Sequence, residues 1–117
     1  MAEPVRPPVS VEPAEGRRRA EDGAIVLDVR NADEWDAGHV EGSTWIPMAE
    51  VQTRRDEIPT DRPIVVVCAT GSRSARVTQA LTVWGCAEAV NLAGGLVAWE
   101  AAGLPIVRDD GSPGTVV

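Results

Sequence analysis

Residues 63–73 read Pro63-Ile64-Val65-Val66-Val67-Cys68-Ala69-Thr70-Gly71-Ser72-Arg73. An unbroken run of β-branched apolar residues suits a strand covered on both faces, as in the middle of a parallel sheet. The run stops at a cysteine and passes into small polar residues around a glycine. From about Ser72 to Trp84, the apolar residues Val77, Leu81 and Trp84 recur at i, i+4 and i+7 and predict a helix, which Gly85 stops. A buried strand feeding a helix through a short loop is the repeating unit of an α/β fold with right-handed crossovers.

The same alternation extends outward. Ala24-Ile25-Val26-Leu27-Asp28 is a second compact apolar run, read as a buried strand. Asn31, with Glu34 three residues on, predicts a capping box for a short helix that Gly38 ends. Ser43 to Ile46 reads as a short strand before Pro47, Met48 to Arg55 as a helical turn or two, and Pro59 to Arg62 as a turn. Upstream, Ser10 reads as the cap of a polar helix over Val11 to Ala20, followed by a turn at Asp22-Gly23. Downstream, Ala87 to Leu92 reads as a strand, and Leu96 to Ala102 as a last helix closed by Gly103. The Pro-rich segment 1–8 and the acidic, Gly/Pro-bearing segment 107–117 are expected to be flexible, leaving one domain over 9–106.

Composition narrows the chemistry. The chain has 117 residues, enough for one domain with a single sheet. Its net charge of -7 argues against broad nucleic-acid or anionic-membrane binding. Every cationic side chain apart from His39 is arginine, which closes off lysine Schiff-base and lysine general-base chemistry. The N-terminus lacks an apolar signal core and no apolar run approaches a membrane span, so a cytoplasmic protein is expected. In that compartment Cys68 and Cys86 are expected as free thiols.

Cys68 stands where a buried strand ends and a helix is about to begin, the place where ligand sites collect in open α/β sheets. Unpaired amides and the helix dipole favour negative charge there, so the thiol is expected to ionise more readily than usual. Gly71 lets successive N–H groups turn inward as an anion nest, and Arg73 adds a planar cation suited to oxyanions. This fits a thiolate that attacks an electrophilic sulfur and then carries it as an anionic persulfide. No general base is required. The competing reading, Cys68 as the last small hydrophobe of a core strand, does not account for the Gly-containing loop and the arginine that follow.

Three stretches resemble the rhodanese family of sulfurtransferases. The first is Leu27-Asp28-Val29-Arg30, then Glu34-Trp35, Gly38-His39-Val40-Glu41-Gly42-Ser43 and Ile46-Pro47. The second is Cys68-Ala69-Thr70-Gly71-Ser72-Arg73-Ser74. The third is Asn91-Leu92-Ala93-Gly94-Gly95, with Trp99 and Gly103-Leu104-Pro105. Together they span about Ser10 to Pro105 in the family's order, and the match is to a stand-alone single-domain rhodanese.

The resemblance implies a three-layer α/β fold with a five-stranded, mainly parallel sheet between helices. It implies transfer of a sulfane sulfur from thiosulfate or a similar donor to cyanide or a thiol, with no cofactor and no metal. It makes Cys68 the persulfide residue and Ala69, Thr70, Gly71, Ser72, Arg73 and Ser74 the substrate cradle, with Asp28, Arg30, Glu34 and His39 in support. The resemblance also admits a thioredoxin-like or other protein thiol as acceptor. Phosphatases and arsenate reductases that share the fold have a loop one residue longer, widened for phosphate. The four residues between Cys68 and Arg73 match the sulfurtransferase spacing.

For the remaining residues, bland roles are expected. His39 is read as satisfying backbone groups behind the site rather than as a base. Arg30 and Glu34 are expected to pair beside the active loop, and Asp28 to orient loop amides or Arg30. Trp84 and Trp99 are read as core, Trp35 and Trp45 as nearer the pocket rim, and Arg76 as positive potential at the mouth. Arg17-Arg18-Arg19 is read as a solvated helix end, and Cys86 as buried and inert. The functional alternatives are a sulfur-carrier or redox-sensing module that delivers sulfur to a protein partner, and an inactive binding domain, against which the retained Cys68 and Arg73 speak.

Overall fold

The structure, a computed structural model, describes residues 8–117. The strongest strand in the sequence, β4 (Ile64–Val67), takes the central place of a five-stranded sheet. It lies between β2 (Ile25–Asp28) and β5 (Ala89–Leu92). The edges are β3 (Thr44–Trp45) beside β2 and β1 (Ser10–Val11) beside β5. All four pairings are parallel. The sheet order β1-β5-β4-β2-β3 therefore has both central neighbours of β4 reached by crossovers.

Because successive side chains alternate faces, β4 feeds two cores. Ile64, Val66 and Cys68 join Leu27, Val29 and Ile46 under Val77 and Leu81 of α3 (Ser72–Val83). Val65 and Val67 join Val26, Val90 and Leu92 under Leu96 and Trp99 of α4 (Gly95–Ala101). The second face is shared with α1 (Pro13–Glu21), which packs on α4 and β4. A short α2 (Ala32–Ala37) opens on the expected capping box between Asn31 and Glu34. The region read as helical turns holds 3-10 turns at Met48–Glu50 and Arg55–Glu57. Among the described residues no helix is long and apolar enough to cross a membrane.

Ser10 is not a helix cap; it pairs with Asn91 as part of β1. The helix starts at Pro13, with Glu12 as its N-cap. Proline suits the first helical position, where its missing N–H costs nothing and its fixed φ is already helical. The sheet edge claims Ser10 and Val11 through pairing with distant residues, which local spacing does not reveal. Arg17, Arg18 and Arg19 form local ion pairs with Glu21 and Glu15, as befits a solvated helix face.

Residues 107–117, expected to be flexible, run back past the end of α2. Val107 and His39 exchange both backbone hydrogen bonds, at 2.8 and 2.9 Å. The Gly114 and Thr115 amides donate to the Ile106 and Ala37 carbonyls, and Ile106 is buried. Gly38 leaves room for this passage: a Cβ there would lie 2.5 Å from Ile106 Cγ2. The flexibility expected of 1–8 falls, apart from Pro8, outside the described residues.

Candidate active site

Cys68 follows β4 directly, and three residues later Gly71 caps α3 with φ 100°, a left-handed conformation that suits glycine. This turn folds the loop back over the sulfur. The Gly71 amide donates to Cys68 Sγ at 3.1 Å and the Ser74 amide at 3.4 Å. The Ser74 hydroxyl lies 3.2 Å from the same sulfur. Cys68 is buried, and burial pushes its thiol up; the donors from Ser74, Gly71 and Thr70 outweigh this, and the net shift is below the ordinary 9.0. Such a site stabilises a sulfur anion without a base beside it.

The loop is also pinned from behind. The Cys68 and Ala69 carbonyls accept hydrogen bonds from the Leu96 and Val97 amides at 2.8 and 2.9 Å. The exit of β4 thereby satisfies donors at the start of α4. Thr70 and Ser72 face solvent, while Ala69 is half-buried and Ser74 fully buried. Residues 69–74 thus lie together at the end of β4, and Ser74 brings its side chain to the sulfur.

The ion pairs differ from the sequence reading. Arg30 does not pair with the Glu34 carboxylate. Its guanidinium forks onto Asp28, at 2.8 to 3.1 Å, and both residues are fully buried. Arg30 also donates to the Glu34 and Gly38 carbonyls, so it braces α2 through backbone. The Glu34 carboxylate instead meets Arg73, with two N–H···O contacts of 2.8 Å each. Hydrogen bonding to Arg73 holds the Glu34 carboxyl at about 2, against the pull of burial and with help from the Asn31 amide. The reason for the exchange is stereochemical. Asp28 sits two residues before Arg30 on the same chain, and the Arg30 amide also donates to it, which closes a tight local ring.

His39 is buried, and its Nδ1–H donates to the Trp35 carbonyl, 2.9 Å away. Its ring stacks on Trp35 at 3.6 Å, its Nε2 lies 3.3 Å from Asp109, and Trp35 in turn stacks on Trp45 at 5.5 Å. These contacts fit the structural role expected of it. Trp99 is core, whereas Trp84 is only partly buried and carries Arg55 over its ring. Arg76 is exposed. Cys86 is buried, and burial raises its thiol. It lies beyond the far end of the 12-residue α3, roughly 18 Å along the helix from the Cys68 end, so both thiols are free and neither can reach the other.

Two residues, Asn91 and Ser10, make contacts beside the site that the sequence does not reveal. Asn91 on β5 places its side-chain oxygen 2.5 Å from the Ser74 hydroxyl, and its amide nitrogen reaches the Ser10 hydroxyl at 3.3 Å. Neither had a chemical role assigned, because the contacts span 17 and 81 residues of sequence. Asn91 stands inside a strand of otherwise apolar, buried neighbours, and a buried amide in such a strand needs partners. That was the available signal.

Comparison with known proteins bears on the fold and the family. The family model described as Rhodanese-like domain matches residues 12–102. A sulfurtransferase of Allochromatium vinosum is 36% identical over 87 residues, covering 74% of this chain and 81% of that protein. The uncharacterized protein YqhL of Bacillus subtilis is 40% identical over 76 residues, covering 65% of this chain and 60% of that one. A putative sulfur carrier protein of the same organism, YrkF, is 27% identical over 93 residues, covering 80% of this chain and 50% of its own length. Thus the chain spans well under the full length of some curated relatives. Among solved structures, a rhodanese-related protein from Thermoplasma volcanium superposes with a TM-score of 0.81 at 30% identity, covering 86% of this chain and 99% of that one.

Proposed function

The chain belongs to the rhodanese-like family, and on that premise we propose that it is a sulfurtransferase working through a persulfide on Cys68. The observation that carries this reading is the pair of backbone amides, from Gly71 and Ser74, that donate to Cys68 Sγ and favour its thiolate, with the Ser74 hydroxyl beside them. Thiosulfate, or a donor like it, is the first substrate. The Cys68 thiolate attacks the sulfane sulfur, a new S–S bond forms, and the bond to the sulfonate sulfur breaks. Sulfite leaves with the electron pair, and the persulfide keeps one negative charge under the same amides. Cyanide or a thiolate then attacks the outer sulfur, and Cys68 returns as thiolate. The work is done by the domain over 9–106, in the cytoplasm, with 107–117 packed against His39, Ala69 to Ser74 as the cradle, and Asp28, Arg30, Glu34 and His39 holding the scaffold.

A second reading has its own observation. Arg73, expected to hold the oxyanion, spends both terminal nitrogens on Glu34. The pair leaves little net positive charge at the mouth, which favours a donor or acceptor that is not a small dianion, such as a protein persulfide or thiol. In that case the domain is a sulfur carrier between proteins.

One experiment separates the two. The protein is incubated with thiosulfate, its intact mass measured, cyanide added and thiocyanate assayed. A one-sulfur adduct that cyanide removes, and that Cys68→Ser lacks, is the expected result. An adduct discharged only by a protein thiol would favour the carrier. If no sulfane donor, small or protein-borne, leaves an adduct, both readings fall.

A further inference from the structure

The Ser74 hydroxyl carries one proton and faces two partners: Cys68 Sγ at 3.2 Å and Asn91 Oδ1 at 2.5 Å. Two oxygens approach to 2.5 Å only with a hydrogen between them, so with Asn91 in this orientation the proton belongs to the Asn91 contact. Ser74 then turns a lone pair toward the sulfur. That arrangement suits Cys68 as a thiol, whose S–H can point at Ser74 Oγ. It does not suit a thiolate, which needs the hydroxyl as a donor. Ser74 is fully buried and Asn91 nearly so, so no bulk water relieves the conflict.

We propose that Asn91 is a positioning residue for Cys68: by turning its side-chain amide, it directs the Ser74 hydroxyl proton either to its own oxygen or to the Cys68 sulfur. Oxygen and NH2 occupy nearly equal volumes, so the turn needs only that Asn91 and Ser74 part by a few tenths of an ångström, from 2.5 Å into the N–H···O range. Once turned, Asn91 Nδ2 donates to Ser74 Oγ and the hydroxyl donates to the thiolate. Asn91 Oδ1 then faces Ser10, 3.3 Å from the present amide nitrogen, and the Ser10 hydroxyl can donate to it. Serine at the far end can both donate and accept, so both orientations keep every group paired. The chain Ser10–Asn91–Ser74–Cys68 thus runs from the exposed edge strand to the buried sulfur, with no net movement of a proton along it. This inference rests on the reading of Cys68 as the reactive thiol.

Charged groups near the sulfur come from three elements: Arg73 on α3, its partner Glu34 on α2, and the closed Asp28–Arg30 pair at the end of β2. None of these changes in the variants that test the idea. The test reads the pH dependence of Cys68 alkylation by iodoacetamide, with peptide mapping to separate it from Cys86. Asn91→Asp keeps the shape but can only accept, so it retains the Ser74 proton. Its alkylation midpoint is expected to rise by about one pH unit or more, the worth of one hydrogen bond to a charged group. Ser74→Ala is expected to rise by a similar amount, and adding Asn91→Asp to it to add little. An equal rise from Asn91→Asp in both backgrounds would mean through-space charge and would overturn the proposal, as would no rise at all. Should the aspartate variant fail to fold, Asn91→Ala serves instead. Without the competing acceptor its midpoint stays at or below that of the native protein, and a rise matching Ser74→Ala would sink the idea. Alkylation is read independently of sulfur transfer. A native protein that alkylates but accepts no sulfur removes the sulfurtransferase reading and leaves these midpoints to judge Asn91.

Discussion

Gly95 shows how little room the loop around Cys68 has. Its φ is 63°, and a Cβ built there would lie 2.4 Å from the Ala69 carbonyl oxygen and 2.6 Å from that of Cys68. Backbone, not a flexible side chain, is in the way. Gly95→Ala is therefore expected to cost about 2 kcal/mol or more in stability, from the strained conformation together with the displaced loop. Denaturant unfolding measures the loss. Alkylation of Cys68 in the same variant should need higher pH, because moving the Cys68–Ala69 peptide loosens the amides above the sulfur. A variant as stable as the native protein would mean that the two loops are not locked together. The direction for Cys68 itself follows from its lowered value: the thiolate is reached below pH 9.0, and stability contributed by its donors is present above the ordinary thiol range and lost as pH falls through the lowered value.

At the scale of elements, the Glu34–Arg73 pair ties the first turn of α2 to the first turn of α3, 39 residues apart. The same carboxylate accepts the Asn31 amide at 3.0 Å, so one side chain both caps its own helix and holds the next. Glu34 titrates at about 2 in the fold against an ordinary 4.5. Since the folded value is the lower one, the stabilisation is complete above pH 4.5 and is lost as pH falls toward about 2. Glu34→Gln keeps the cap but loses the ion pair. It is expected to lower stability at neutral pH by about 1 to 2 kcal/mol and to flatten the decline over that acid window, as read by chemical denaturation at several pH values. It also releases Arg73. If thiosulfate is the donor, its KM should fall in this variant. Arg73→Ala should raise KM, and an unchanged value in both would remove Arg73 from contact with the donor.

For the whole molecule, the C-terminal segment and the N-terminal strand are the parts that long-range contacts define. Removing 106–117 would strip buried Ile106 and the backbone bonds to His39 and Ala37. A chain ending at Pro105 is expected to lose roughly 2 to 4 kcal/mol, about one buried isoleucine and a few net hydrogen bonds, by urea unfolding. No change would mean that the segment contributes nothing in solution. The central strand, the loop at Cys68, the capping box at Asn31 and the stop at Gly85 were legible because each depends on neighbours within a turn or a short run. Hydrophobic periodicity, caps and glycine turns are local physics, and they sufficed for the α/β class and for placing Cys68 and its loop between the end of β4 and the start of α3. The pairing of Ser10 with Asn91, the choice of Arg73 by Glu34, and the return of 107–117 past α2 were not legible, whereas the hold of Asp28 on Arg30 was among the expectations. Ion-pair partners and edge strands are selected by which groups the folded sheet brings within a few ångströms, and several partners in the sequence had suitable charge. By itself, then, the sequence determined where an anionic sulfur can be stabilised. Only the tertiary structure decided which hydroxyl and which amide stand beside that sulfur, and whether the arginine near it is free, because those distances exist only once β5, α2 and α3 have closed around the end of β4.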